Sequence, residues 1–269
     1  MRLPRLQLFE FNDSPWAPKA LRDTLVEALG GALERGRILD GLVRPFQRLL
    51  DEAGTREVLD LGSGSGAPAR ILVEAFRASG RAPPRVLLSD LNPQPRLWES
   101  ARARCPEAID FIHTPVDATR LPARLTEGRV ATVINMLHHL PPARAREVLA
   151  EICRRSRGLF VAECFERNPL RFAAFAGPGL PSLARTPLAA GPQRLARVLM
   201  TWASPVSLAV SVWDGVASTL RIHEIDDLWR MTAGISGWSF GSGYFRHGRL
   251  GKGFYFWGLP RAKIGESRW

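Results

Sequence analysis

The chain has 269 residues, of which 45% are hydrophobic and 23% are charged. These values are typical of a globular protein long enough for one large domain, and they exclude a fibrous or largely disordered chain. The formal net charge of +11 comes mostly from arginine that is spread along the chain, so composition alone favours neither a nucleic acid nor a membrane as partner.

Cysteine usage and hydropathy indicate the compartment in which the protein is expected to work. Cys105, Cys153 and Cys164 are far apart and lack the spacing of metal ligands. We therefore expect buried, reduced thiols, no metal, and a cytoplasmic protein. Neither residues 1–16 nor any later stretch has the continuous apolar run of a signal peptide or a membrane span.

Two helices are predicted ahead of residue 54. The first begins near Pro18 and is expected to end at Gly30–Gly31. The second is expected to run from about Leu33 to Glu52, with a kink at Pro45. The segment Leu8–Trp16, which mixes aromatic and acidic residues, is predicted to be a loop that folds over the mouth of a binding site.

A glycine-rich turn follows the predicted helices. Residues 57–70 read EVLDLGSGSGAPAR, which is an apolar strand, an acidic residue, three glycines two apart and the start of a helix. Glycine lets the backbone turn sharply and approach a ligand, and the helix directs its partly positive end at the same place. Such a turn binds a nucleotide-like cofactor. Gly62, Gly64 and Ala67 also satisfy the G-x-G-x-x-A form of nicotinamide-binding folds, but Asp60 favours a cationic ligand over a pyrophosphate.

Strands and helices then alternate. Strands are predicted at Arg85–Asp90, Ile109–His113, Val130–Met136 and Gly158–Glu163. Alternation of this kind implies a parallel sheet that is covered on both faces. The first of these strands ends in a carboxylate 24 positions after the last glycine of the turn, the spacing at which an acidic residue reaches ribose hydroxyls.

Residues 165–222 interrupt the alternation. Phe172–Ala184 and Val198–Trp213 are uncharged, apolar and interrupted by proline, and we interpret this region as an insertion that caps the active site. A helix around His223–Thr232 follows. Trp238–Phe245 and Gly253–Leu259 are then predicted to form a hairpin joined by a turn at residues 247–252.

This order of features resembles the class I S-adenosylmethionine-dependent methyltransferases. The resemblance covers Glu57–Glu163 well and the hairpin loosely, and it includes a strand that ends in Asn-Met-Leu-His-His. It implies an α/β, three-layer, Rossmann-like fold with a seven-stranded sheet, mostly parallel with an antiparallel last strand, plus N-terminal helices and an apolar cap insertion. We expect a single methyltransferase domain over residues 1–269, divided into an N-terminal helical arm (1–53), a cofactor-binding core (54–164), the cap insertion (165–222) and a C-terminal helix and hairpin (223–269).

The resemblance also implies S-adenosylmethionine as the cofactor. Asp60 and the glycines would contact its methionine part, Asp90 the ribose hydroxyls, and Asp117 with Ala118 the adenine ring. Simpler local roles remain open, with Asp90 as a turn residue and Asp117 as a helix cap before Thr119. The predicted cofactor-binding residues are Asp60, Gly62, Ser63, Gly64, Gly66, Asp90, Leu91, Asp117, Ala118, Asn135 and Met136.

Three residues are candidates for the group that takes a proton from the acceptor. They are His138, His139 and Asp214, and a neutral imidazole is well suited to that role. In the resembled family such histidines often only shape the floor of the pocket. The alternatives for the polar residues of the cap are a helix cap at Asp214 and a solvated Arg221. The residues predicted to bind the acceptor are Trp16, Glu163, Arg221 and His223.

The leading hypothesis is methyl transfer to a small, fairly hydrophobic acceptor, at oxygen. A first alternative is a lipid or quinone methyltransferase with peripheral membrane contact, suggested by Val198–Trp213 beside Arg194 and Arg197. A second is a nucleic-acid methyltransferase, which is not expected because Asn135 is not followed by the Pro-Pro-aromatic sequence of that class. A third is a non-catalytic adenosylmethionine-binding protein. The acceptor atom and the oligomeric state are not readable from the sequence.

Overall fold

The computed structural model describes residues 3–14, 16–188, 193–248 and 251–261. Within these residues a seven-stranded sheet has the strand order β3-β2-β1-β4-β5-β7-β6. β7 runs antiparallel to both of its neighbours, and the strands from β1 to β5 pair in parallel. The predicted fold class is confirmed. The strands are β1 Glu57–Leu61, β2 Arg85–Ser89, β3 Ile109–Phe111, β4 Val130–Ile134, β5 Gly158–Glu163, β6 Trp238–His247 and β7 Gly251–Pro260.

Helices cover both faces of the sheet, which is why every residue of β4 and β5 is buried. One face packs against α1 to α4, where the rings of Phe46 and Phe160 are tilted against each other with centroids 4.7 Å apart. The other face packs against α6 and α11 through Leu149 and Leu228. The helices of these two layers are α1 Lys19–Arg35, α2 Val43–Ala53, α3 Ala67–Ala78, α4 Pro95–Arg104, α5 Ala123–Thr126 and α6 Pro142–Arg155, with α11 Ile225–Thr232 near the C-terminus.

The N-terminal helices differ from the prediction. α1 runs through Gly30–Gly31, and the chain breaks instead after Gly36, where Arg37 has a left-handed φ of 48°. A Cβ at Gly30 would lie 3.2 Å from Ala67 in α3, so this glycine serves close packing of two helices. Pro45 lies in the first turn of α2, where its missing N–H is not needed and no kink results. The predicted break and the predicted kink were both wrong.

The insertion predicted from its composition is a set of short helices. They are α7 Pro169–Phe172, α8 Ala176–Arg185, α9 Arg194–Val198 and α10 Val206–Arg221, with a π-helical turn at Leu199–Ala203. α8 packs along α1, and α10 packs on α7. In the described part of the chain no single helix has the length and apolar character needed to cross a membrane. The helical segments 194–203 and 206–221 reach that length and composition only as a pair, across a bend of 80°.

The C-terminal elements follow the prediction with small shifts. The predicted helix at His223–Thr232 begins at Ile225, because Glu224 and Asp227 form a capping box at its start. The hairpin is present, and β6 and β7 pair from Trp238 with Pro260 to His247 with Gly251. Of the predicted turn at residues 247–252, positions 249 and 250 lie outside the described residues.

Two helical glycines of the cap give a matched test of its packing. A Cβ at Gly215 of α10 would overlap the ring of Phe172, whereas a Cβ at Gly177 of α8 meets nothing within 4 Å. We expect Gly215→Ala to lower the free energy of unfolding by about 1–3 kcal/mol through overpacking. Gly177→Ala should leave it unchanged or raise it by up to about 1 kcal/mol through helix propensity. Urea unfolding measures both, and equal stabilities would contradict the described contact between α7 and α10.

Candidate active site

The turn after β1 has the backbone that its glycines predict. Gly62, Gly64 and Gly66 have φ of 67°, 52° and 75°, a region that side chains disfavour. A Cβ at Gly62 would overlap Met136, and a Cβ at Gly66 would come within 3.0 Å of Trp98, whereas Gly64 has open space around it. The outer two glycines therefore permit packing beneath the turn, and the middle one presents bare backbone.

Asp90 connects the turn to the end of β2. Its Oδ2 accepts the N–H of Gly64 at 2.9 Å, and its Oδ1 accepts the N–H of Asn92 at 2.8 Å. The indole N–H of Trp98 donates to the carbonyl oxygen of Gly64 at 2.9 Å. Asp90 thus has the local turn role, and it also lies beside Gly64, where the ribose contact is predicted. Leu91 next to it is 59% exposed.

Asp60 lies beneath the turn. It is 3% exposed, and its Oδ1 accepts the hydroxyl of Thr132 at 2.6 Å. Burial raises the pKa of Asp60 to about 6, although the Thr132 hydrogen bond opposes this rise. Among the described residues no cationic side chain pairs with this carboxylate. A buried carboxylate without a cationic partner fits a ligand that carries positive charge.

The serines on either side complete the support of the turn. The buried hydroxyl of Ser63 donates to the carbonyl oxygen of Asp60 at 3.1 Å and accepts the N–H of Ser89 at 3.1 Å. The hydroxyl of Ser89 donates to the same carbonyl at 2.7 Å. These bonds join β1 to β2 and fix the direction in which the glycines leave the sheet.

Asn135 reverses the chain at the end of β4. Its φ of 53° is left-handed, which asparagine tolerates better than other residues with a Cβ. Its Oδ1 accepts the N–H of Cys164 at 2.8 Å, and its Nδ2 donates to the sulfur of that residue at 3.1 Å. The amide therefore fixes the strand end against β5, and Met136 follows it beneath Gly62.

The loop that carries Asp117 and Ala118 also reaches this edge. Its Val116 donates a backbone N–H to the carbonyl oxygen of Asp90 at 2.9 Å. Asp117 Oδ1 accepts both the backbone N–H and the hydroxyl of Thr119, at 2.8 and 2.7 Å. Asp117 therefore stabilises a turn, and the alternative of a helix cap was wrong, because the next helix begins only at Ala123. The predicted contact of Asp117 and Ala118 with adenine remains a prediction.

His138 and Glu163 form a buried pair. The two histidines lie on a short helical turn, Leu137–His139, after β4, and Glu163 ends the neighbouring strand β5. His138 Nδ1 lies 2.9 Å from Glu163 Oε2, and the backbone N–H of His138 donates to Oε1 at 3.2 Å. His138 is 7% exposed and Glu163 is 2% exposed. Both oxygens of the carboxylate therefore face the same histidine.

His139 belongs to a second network, which includes the N-terminal segment. Its Nδ1 lies 3.1 Å from Asp13 and 3.8 Å from Glu10. Arg221 lies 3.0 Å from Glu10 and 2.7 Å from Asp13. Burial alone would raise the pKa of Asp13, but the hydrogen bond from His139 and the charges of His139 and Arg221 hold it well below its usual range. For the more deeply buried Glu10, desolvation prevails and raises the pKa.

Glu10, His138 and His139 can also be considered as metal ligands. One ligand atom of each lies within 4.8 Å of the other two. However, Arg221 occupies one face of Glu10, and each histidine already has a carboxylate partner. A guanidinium 3.0 Å from a candidate ligand opposes the binding of a second cation.

Asp214 and Arg221 hold the N-terminal segment on α10. Asp214 lies inside α10 and its two oxygens accept the N–H groups of Phe11 and Asn12 at 2.8 and 3.0 Å. Arg221 is 6% exposed, and its Nε–H donates to the carbonyl oxygen of Leu8 at 2.6 Å. The alternatives of a helix cap at Asp214 and a solvated Arg221 were therefore wrong.

The other two residues predicted to bind the acceptor lie apart from each other. Trp16 is 66% exposed and stacks on Phe9 with ring centroids 5.5 Å apart. His223 is buried, and its Nε2–H donates to the carbonyl oxygen of Leu140 at 2.9 Å, while its Nδ1 has no hydrogen-bond partner within the described part of the chain. Burial lowers the pKa of His223. Its contact with an acceptor stays a prediction.

Three residues of this edge were missed by sequence reasoning. Glu10 and Asp13 meet Arg221 and His139, and Arg5 donates to the carbonyl oxygens of His138 and Leu140 at 3.2 and 2.9 Å. The acidic and aromatic composition of the N-terminal segment was the available signal. It placed the loop near the site but did not indicate which cations its carboxylates would meet.

The comparisons identify the family. Residues 58–157 match the family described as a methyltransferase domain. The chain carries a methyltransferase domain of the class I S-adenosylmethionine-dependent kind. Its cofactor is S-adenosylmethionine, and the positive φ angles of the turn, the open space at Gly64 and the buried charge of Asp60 fit that ligand. No curated protein matched the sequence.

The chain is similar to several solved structures of methyltransferases. The plantazolicin methyltransferase in complex with SAH has a TM-score of 0.50 and 11% identity, covering 94% of this chain and 93% of that one. A putative O-methyltransferase from Nostoc punctiforme has a TM-score of 0.50 and 15% identity, covering 94% and 64%. Magnesium protoporphyrin IX methyltransferase from Synechocystis with bound SAH has a TM-score of 0.48 and 15% identity, covering 84% of each chain.

The buried charge of Asp60 predicts a pH dependence of stability. The pKa of Asp60 is raised from 3.8 to about 6 in the folded protein. Its contribution to stability is therefore fully present below the unfolded value of 3.8 and is lost as pH rises through about 6. Relative to Asp60→Asn, the wild type should lose about 3 kcal/mol of unfolding free energy across this range. Urea unfolding at several pH values measures it, and parallel profiles for the two proteins would show that the carboxylate is not desolvated.

Asp90 gives a test of the cofactor side. Asp90→Ala should weaken adenosylmethionine binding by about 1–3 kcal/mol, because hydrogen bonds to a charged acceptor are lost. Asp90→Asn keeps an oxygen that can accept the N–H of Gly64 and should lose less. Isothermal calorimetry measures both affinities. An unchanged affinity in Asp90→Ala would mean that Asp90 does not hold the ribose.

Proposed function

We propose that this methyltransferase transfers the methyl group of S-adenosylmethionine to an oxygen of a small, fairly hydrophobic acceptor, with His138 as the general base. The observation that carries the proposal is the buried pair of His138 and Glu163, at 2.9 Å, where β4 and β5 end. In parallel α/β sheets this edge is where ligands bind.

The pair is suited to accept a proton. Glu163 accepts Nδ1–H of His138, so the neutral imidazole keeps its lone pair on Nε2. A hydroxyl acceptor must lose its proton as the new carbon–oxygen bond forms, and Nε2 would take it. The imidazolium that results is stabilised by the adjacent carboxylate. The cofactor supplies an electrophilic methyl group on a sulfonium.

We assign the cofactor residues the roles that the resemblance implies. Asp60 would balance the positive charge of the methionine part, and Asp90 would hold the ribose. Asn135 and Met136 would lie beneath the cofactor and direct the acceptor side towards the histidine turn. Support for this placement comes from the hydrogen bond between Asp90 and Gly64 and from the packing of Met136 beneath Gly62.

Aromatic clusters on two sides support an apolar acceptor. Phe165, two residues after Glu163, packs edge-on against Phe172 and Phe175 of the cap, with centroids 5.6 and 5.3 Å apart. The N-terminal segment, which contacts His139, carries a second cluster built from Phe9, Phe11 and Trp16. Such walls exclude water and bind flat apolar molecules. Action at a membrane surface is a second candidate function, favoured by the exposed apolar side chains of the cap.

Replacing the histidines one at a time tests the base. His138→Ala should lower kcat by about 10²–10⁴-fold, the usual contribution of a general base, with adenosylmethionine affinity unchanged in calorimetry. Glu163→Gln should also lower kcat, by a smaller factor, because it removes the charge that stabilises the imidazolium. His139→Ala should have a smaller effect, exerted through the N-terminal segment.

The assay is a methyl-transfer screen across phenols, carboxylates, amines and lipids. Normal turnover in both His138→Ala and His139→Ala would rule out a histidine base. A screen in which amines alone are methylated would contradict transfer to oxygen while leaving the methyltransferase activity itself intact.

A further inference from the structure

The cap carries a dense group of exposed apolar side chains. Among the described residues, nine of the nineteen large apolar side chains that are exposed lie between positions 180 and 213. Monomeric proteins rarely leave a contiguous set of this kind uncovered, and such a set marks an interaction surface. We call it the apolar face, and it consists of Leu180, Leu188, Leu195, Leu199, Trp202, Val206, Leu208, Val212 and Trp213.

Part of the apolar face lies on α10. Leu208 and Val212, four residues apart, share its outer side, Trp213 follows Val212, and Val206 is the first residue of the helix, all exposed by 42% to 51%. Val210, between them in sequence, is buried against the body of the protein. This is the periodicity of an amphipathic helix whose second, outer side is also apolar.

The charged residues of the segment that carries the apolar face have one sign, although Arg197 among them pairs with Asp23 and Glu27 of α1. Residues 167–213 contain five arginines and no aspartate, glutamate or lysine. Arg185 and Arg194 are exposed on it. Two copies of such a surface would repel each other, whereas a bilayer with anionic lipids complements it. Tryptophan, present here as Trp202 and Trp213, favours the boundary between lipid and water.

The apolar face adjoins the active site. Trp213 donates its indole N–H to the carbonyl oxygen of Phe9 at 2.9 Å. The next residue, Asp214, holds the N-terminal segment, and Arg221 lies seven residues beyond Asp214 along α10, or about 10 Å. Phe9 and Trp16, which stack on each other, are themselves exposed. The outer surface and the wall of the site are therefore parts of one structure.

We propose that the apolar face docks this methyltransferase on an anionic lipid bilayer. Its leucines, valines and tryptophans enter the interface, and Arg185 and Arg194 pair with lipid phosphates. The segments 194–203 and 206–221, bent by 80°, lie on the bilayer and do not cross it. The docking is independent of which residue is the base. Entry of the acceptor from the lipid is the one step that rests on the function proposed above.

Co-sedimentation with vesicles tests the docking. The purified full chain is mixed with phosphatidylcholine vesicles with and without phosphatidylglycerol, at low and at moderate salt. We expect binding to the anionic vesicles that persists in part at moderate salt, because apolar burial is not screened. Leu195→Glu with Val212→Glu should weaken it by about tenfold or more, and Arg185→Glu with Arg194→Glu should abolish the preference for anionic lipid.

Matched controls lie elsewhere on the surface. Leu97→Glu on α4 and Arg146→Glu on α6 change the same residue types at exposed positions and should bind as the wild type does. Calorimetry with adenosylmethionine shows that each variant is folded, and the His138→Ala assay tests the function separately. Wild type left in the supernatant with both vesicles overturns the docking. So does a dimer in light scattering that Leu195→Glu with Val212→Glu dissociates without any change in vesicle binding.

Discussion

The ion pairs of the buried Arg221 with Glu10 and Asp13 are the contact that holds the N-terminal segment beside the histidine turn. Removing such charges from water is costly unless every donor and acceptor is satisfied. Here Arg221 also bonds the carbonyl of Leu8, and Leu6 donates its N–H to the carbonyl of Leu220. A segment without regular secondary structure is thereby fixed on α10, and the histidine turn obtains a wall that the sheet alone does not provide.

Most of the sheet could be predicted because its signals are local. Buried strands read as apolar runs, and glycine or proline separates them from the helices, so the strands and the terminal hairpin follow from short windows of sequence. The same approach does not predict where the N-terminal helices end, and the reason is physical. A glycine pair either breaks a helix or lets another helix approach, and which of these holds at Gly30 depends on Ala67 of α3. That neighbour is distant in sequence.

The two halves of the site differ in the same way. The glycine turn and Asp90 belong to one strand–helix–strand unit, so their proximity follows from spacing. Glu163 was also placed at the correct edge, since β4 and β5 are neighbours, but its pairing with His138 needed the bend at Asn135. Arg221 meets Asp13 across 208 positions, and no periodicity encodes that pairing. Acidic residues in a loop predict solvent exposure until the cation that faces them is known.

The two-sidedness of α10 has a consequence for turnover. One helix presents Leu208 and Val212 to the outside and Asp214 and Arg221 to the N-terminal segment, so a displacement of its outer surface moves the anchors of that segment. A partner that fixes the outer surface of α10 also fixes the N-terminal segment. By thermodynamic linkage, a partner that favours acceptor binding in this way is itself bound more tightly, by the same free energy, when the acceptor is present. On the function proposed above, product release would need the N-terminal segment to open, so the outer contact of α10 would act on release and not on methyl transfer.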